Sequence, residues 1–135
     1  MNRLMNNVSK AVKNWLDSAE YDMETAQHML NTGRYIYTVF MCHLALEKVL
    51  KAKVESVMGK TPPRTHDLER LFQLADLPPD EPKNNIIAEL SGLSIVTRYP
   101  EDFQQIKKAF TKEKTTVMFN NTNEVFQWIK KLMEL

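Results

Sequence analysis

One cysteine, three glycines and no apolar run of membrane-spanning length occur among the 135 residues of this chain, and each scarcity closes off a class of protein. A lone thiol, Cys42, forms no internal disulfide, so the fold has to be held by its core. The start, MNRLMNNVSK, has no hydrophobic stretch of signal-peptide length, and together with the single thiol it sets the expectation of a soluble protein in a reducing cytoplasm, with no membrane partner. Net charge is nearly absent as well. Eighteen basic against seventeen acidic residues leave a formal +1, so bulk electrostatics do not advertise nucleic acid and any basic surface has to be local. No phosphate-cradling glycine loop, dinucleotide fingerprint or nucleophile elbow is present. Cys42 and His43 diverge by about 100° on a helix and no Cys or His pair has ligand spacing, so neither a metal nor a cofactor is expected.

What is present is helical periodicity. The chain is long enough to bury roughly two-thirds of its unfolded surface, and with no repeat or linker it reads as one domain over residues 1–135. Few glycines and long stretches rich in Leu, Met, Ala, Glu and Lys predict an all-α fold. A first helix is expected from near Ser9 to Asn31, stopping at Gly33, with Trp15, Leu16, Ala19, Met23, Ala26, Met29 and Leu30 as its apolar face. Ala19 and Ala26 are small enough to admit a close neighbour. A second runs from Arg34 to Met58, about 37 Å long, and ends at Gly59 ahead of Pro62 and Pro63. The two make an antiparallel hairpin.

A short third helix follows, capped by Thr65 or Asp67 and packed by Leu68, Leu71, Phe72 and Leu74. A fourth runs from Lys83 to Thr97 and is closed off by Pro100. EDFQQIKKAF reads as loop with a possible helical turn. A last helix starts after Thr111 and carries Val117, Met118, Val125, Trp128, Ile129 and Leu132. The expectation is an up-and-down bundle of four to five helices.

Two residues break the pattern. Ile36, Val39, Phe40, Leu46, Leu50, Val54 and Val57 share one side of the second helix with His43, and Glu47 falls toward the edge of the same stripe. A carboxylate taken out of water without a partner costs several kcal/mol, so a donor has to be supplied from elsewhere. Asp22, at the margin of the first helix's apolar face, is a second such acid. Arg98 is the candidate donor, since a guanidinium matches a carboxylate with a planar fork and keeps its proton. The cluster reads either as a polar knot that fixes helix register or as a functional pocket. A carboxylate one turn away can orient the His43 imidazole. His66, between Thr65 and Asp67, is expected to anchor the third helix, and His28 to be solvated. Lys48 and Lys51 are expected on the outer flanks of Glu47, while Lys107, Lys108, Lys112 and Lys114 form a local basic group dense enough to receive phosphates.

The runs HLALEKVLKA (43–52), THDLERL (65–71) and TRYP (97–100), the AFTKE start and EVFQWIKKL ending of the last helix, and the first-helix pattern WLDSAEYDMETAQHML together resemble the HEPN domain family, in family order over nearly the whole chain. The resemblance implies an antiparallel helical bundle, a homodimer with its cleft near the dimer interface, and a nucleotide or RNA ligand. It also implies a minimal nucleotidyltransferase as partner in a two-component, toxin–antitoxin-like system. On this reading Asp22, His43, Glu47, Lys51, Arg98 and Tyr99 form the nucleotide-binding set. Family members that are metal-independent ribonucleases carry an arginine followed by a histidine after four to six residues. Arg98 matches the arginine and is the one candidate catalytic residue, but Phe103, Gln104 and Gln105 stand where the histidine would fall. Glutamine cannot exchange a proton near neutral pH, so cleavage through the 2′-hydroxyl would need a displaced acid or base, with His43 and His66 as the available imidazoles. The alternatives are therefore such a ribonuclease toxin, or a non-catalytic interaction adaptor.

Overall fold

Nothing between Asn2 and Asn31 interrupts a helix: the stretch has neither proline nor glycine, and it forms α1 (Asn2–Asn31). The helix therefore begins ahead of the Ser9 start expected from capping alone. The chain turns at Gly33, whose φ of +78° suits a residue without a Cβ, and re-enters a helix at once as α2 (Tyr35–Met58). Gly59, in the left-handed region at φ +69°, ends α2 with its N–H on the Glu55 carbonyl. The computed structural model describes the backbone of residues 2–98 and 103–134, and side chains over 10–93 and 103–134.

Asp67 caps α3 (Leu68–Leu74), its carboxylate accepting from the Glu69 and Arg70 amides. Lys53 Nζ donates to the Ala75 carbonyl at 2.9 Å and ties the end of α3 to α2. α4 (Glu81–Arg98) starts two residues ahead of the expected Lys83, because the Asp80 carboxylate accepts the Lys83 amide and Pro82 is tolerated in a first turn. Lys83 beside Asp80 also holds that carboxyl below its ordinary value. EDFQQIKKAF is helical after all over α5 (Phe103–Ala109), and α6 (Lys112–Leu132) follows from a Thr111 cap. The described residues thus form six helices rather than four to five, the difference being α5, too short to show periodicity in sequence. No strand occurs among the described residues.

α2 is the central element, packed on α1, α3, α4 and α6. Ala19 and Ala26 of α1 are fully covered, so α1 approaches α2 closely along its length. Leu46, Leu50 and Val54 meet Leu68 and Leu71 of α3, Ile87 and Leu90 of α4, and Val125, Phe126 and Ile129 of α6 in one core. Three residues expected in apolar faces are exposed instead. Val57 and Leu132 lie in the last turns of their helices, past the covering layer, and Val117 borders an open groove between α4 and α6.

Cys42 lies in that core, fully covered, and burial pushes its thiol up to about 12 from an ordinary value of 9.0. We expect native protein to resist alkylation by iodoacetamide at pH 8 and to react in urea; labelling as fast as in the unfolded chain would contradict this burial. Because the folded-state value is the higher one, the stability this neutral thiol contributes is intact below pH 9.0 and is lost as pH rises toward 12. Among the described residues no helix is long and apolar enough to cross a membrane.

Candidate functional site

Glu47 and Lys51 are one turn apart on α2, and both are almost wholly covered, their side chains 5% and 10% exposed. The ammonium sits 3.1 Å from Glu47 Oε2. A lysine at i+4 returns to the face of its carboxylate, so the expectation that Lys51 flanks Glu47 on an outer side is corrected: Lys51 lies under it, its stem buried and its charge neutralised within the helix. Across the ammonium stands the Trp15 ring of α1, with its centroid 5.6 Å away, and the indole N–H donates to Glu55 Oε1 at 3.1 Å. Glu47, Lys51 and Glu55 thus form a ladder along α2 that α1 closes with one aromatic residue.

The loop between α2 and α3 supplies a further cation-forming group. His66 Nδ1 lies 3.0 Å from both Glu47 oxygens. Its side chain is 64% exposed, so the unit is buried at its carboxylate and open to solvent at its imidazole. A carboxylate that faces Nδ1 accepts from an Nδ1–H, so this contact orients the ring. The expectation for His66 was an anchor of α3; it stands two residues ahead of that helix and also joins it to α2 through Glu47. A histidine directly before a capping aspartate, THD, was the only sequence signal for this contact, and spacing alone does not say which carboxylate such a loop residue meets. His43 is also buried, its Nδ1 3.9 Å from Glu47 Oε1.

Asp22 belongs to a neighbouring pair. Its carboxylate faces Lys48 Nζ at 2.9 Å, and the same ammonium donates to the Ser18 hydroxyl at 2.8 Å. Lys48 is consequently half-buried between α1 and α2, which corrects its expected place on an outer flank; the close approach permitted by Ala19 and Ala26 covers it. The structure therefore gathers His43, Glu47 and Lys51, adds His66, Trp15 and Glu55, and sets Asp22 with Lys48. Arg98 closes α4, but its side chain and all of Tyr99 lie outside the described residues. His28 is exposed, as expected. No group of three or more His, Cys, Asp or Glu among the described residues could hold a metal ion.

What this arrangement offers chemically is one oriented, solvent-facing imidazole on a neutralised base of buried charge. It can donate or accept hydrogen bonds and exchange protons.

A comparison with curated proteins finds no match. Among solved structures, the chain resembles TT1696 from Thermus thermophilus, at a TM-score of 0.74 and 23% identity over 89% of this chain and 96% of that one. It also resembles ST0689, an archaeal HEPN homologue, at a TM-score of 0.72 and 21% identity over 91% and 98%. These likenesses fix the fold. The model of the HEPN domain matches residues 12–132, which takes in α2 through α6 and most of α1, and the chain accordingly belongs to the HEPN domain family.

Proposed function

We propose that this protein binds nucleotides or RNA, as a single domain and a homodimer in the cytoplasm, and works with a minimal nucleotidyltransferase in a two-component system. The observation that carries the reading, within a HEPN frame spanning residues 12–132, is a charged unit whose buried end is Glu47 with Lys51 and whose open end is His66. A buried ion pair is seldom the most stable way to fill a core, and one that holds an exposed imidazole in a fixed orientation has a use beyond packing. In this reading Arg98 grips phosphate and Tyr99 stacks on the base, with His43, Glu47, Lys51 and Asp22 completing the nucleotide-binding set.

The ribonuclease alternative is favoured by the same residue: His66 is a largely exposed imidazole, in a chain that lacks the histidine its ribonuclease relatives carry after the arginine matched by Arg98. One experiment addresses both. Purified protein is titrated with ATP, GTP and short single-stranded RNA at low and moderate salt, with and without the nucleotidyltransferase, and the RNA is recovered for length analysis. Binding is expected, weakened roughly tenfold or more in Arg98→Ala, as for loss of a hydrogen bond to a charged group. Absence of binding in every condition overturns the proposal. RNA left intact by high protein concentrations removes the ribonuclease alternative alone.

A further inference from the structure

A cavity of about 470 Å³ opens between the α1–α2 turn and the α5–α6 corner, apart from the polar ladder. Its walls carry four aromatic rings, Tyr35, Tyr37, Phe103 and Phe110, and three cations, Arg34, Lys107 and Lys108, with no carboxylate among the described lining residues. In a molecule with nearly balanced charge, three cations around one hollow with no acid among its described lining residues are a local excess. Among the described residues no carboxylate pairs with any of the three, and the two cation–ring contacts of the fold involve Lys51 and Lys83 instead. Tyr37 and Phe103 are each about half exposed, at 53% and 47%, so their faces are open to an incoming ring. The volume is in the range of small-molecule sites, roughly 300–1,000 Å³.

We infer that this cavity binds a nucleobase with its attached phosphate, the base against Tyr37 and Phe103 and the phosphate held by Lys107, Lys108 and Arg34. The inference rests on the nucleotide- or RNA-binding reading above and adds to it a site built from residues outside the ladder. Both halves of the lining are needed to choose this ligand. An apolar compound gives three cations no partner, and a bare inorganic anion gives the rings nothing to cover; a planar base carrying phosphate satisfies both. The same chemistry arrives as a free mononucleotide or as one unit of a single-stranded RNA, and a base held in a duplex is excluded because its faces are already stacked.

The test compares AMP, inorganic phosphate, a single-stranded oligoribonucleotide and the same oligomer annealed to its complement, with wild type, Tyr37→Ala, Lys107→Ala/Lys108→Ala and the control Tyr21→Ala. Tyr21 is 71% exposed on α1 and does not line the cavity, so it measures the loss of an exposed ring elsewhere. All the altered side chains are exposed, and circular dichroism verifies that each variant is folded. Tyr37→Ala is expected to weaken AMP or single-strand binding roughly 5- to 150-fold, the range for loss of a stacked base. The double lysine variant should lose several-fold at low salt and less at high salt, as screened contacts do. AMP binding as tightly as the oligomer identifies a free nucleotide as the ligand; an oligomer that binds much more tightly identifies single-stranded RNA. Wild-type binding left unchanged by both variants overturns this site and leaves the broader reading intact. Phosphate binding as tightly as AMP, a duplex binding as tightly as the single strand, or a changed oligomeric state without a change in affinity also overturns it. No binding by wild type overturns both.

Discussion

Replacing Glu47 with alanine should destabilise the protein by about 3–5 kcal/mol, the cost of removing one partner from a buried ion pair. The loss comes from what stays behind. Lys51 remains beneath the surface, its side chain only 10% exposed, with the Trp15 ring as its remaining described neighbour on that side, and His66 loses the carboxylate that fixes its ring. Lys51→Met should be similarly costly, since it removes the lysine partner from a carboxylate only 5% exposed and leaves it with the imidazoles of His66 and His43. The double variant Glu47→Ala/Lys51→Met is expected to be less destabilised than the sum of the two single changes, because neither charge is then stranded. Urea unfolding followed by circular dichroism measures all three. A loss below about 1 kcal/mol for Glu47→Ala would show that the ladder does not behave as a buried pair. His66→Ala, truncating a largely exposed side chain, should cost less than either.

That ladder also marks where sequence reasoning reached and where it stopped. Periodicity along α2 is strong enough to put His43 and Glu47 on a buried stripe, and both are buried. Capping chemistry is equally local, so Gly33, Gly59, Asp67 and Thr111 mark their helix ends in the sequence as they do in the fold. Lys51 was harder. A lysine beside an apolar stripe normally carries its charge out to water; the Glu47 carboxylate one turn back and the Trp15 ring contributed by α1 together show why this one stays in. His66 was harder still, because the loop between α2 and α3 contains Pro62 and Pro63, and no periodic rule says which carboxylate a residue on such a loop meets. α5 failed for a third reason: seven residues are two turns, and that length gives no repeating apolar spacing. The cavity that α5 helps line, with Phe103, Lys107 and Lys108 facing Arg34, Tyr35 and Tyr37, joins residues far apart in the chain. The four lysines after TRYP were legible as a basic group in sequence; the rings that two of them share a hollow with were not.

Phe126→Ala should be the most damaging single truncation on α6, at about 3–5 kcal/mol. Phe126 is 1% exposed and, among the described residues, the largest of the fully buried side chains, seated with Val125 and Ile129 in the core that α6 shares with α2. Neighbours held by a central helix on four sides cannot collapse into the space a phenyl ring leaves, so the cavity term adds to the lost transfer energy. Domains of this size are stable by roughly 5–15 kcal/mol, so such a loss brings a large unfolded fraction within reach of mild heating. Leu132→Ala on the same helix, where the side chain is 42% exposed, should stay within about 0.5 kcal/mol. Thermal and urea unfolding of the pair provide the measurement, and equal losses in the two variants would refute the seating of α6. The contrast bears on function because α6 starts beside the proposed base-and-phosphate cavity, at Thr111, while its hold on α2 lies several turns away at Phe126 and Ile129. The side chains that fix the position of that rim are therefore not those that would touch the ligand. Phe126→Ala should lower binding only in proportion to the folded fraction, whereas Tyr37→Ala should lower it in fully folded protein.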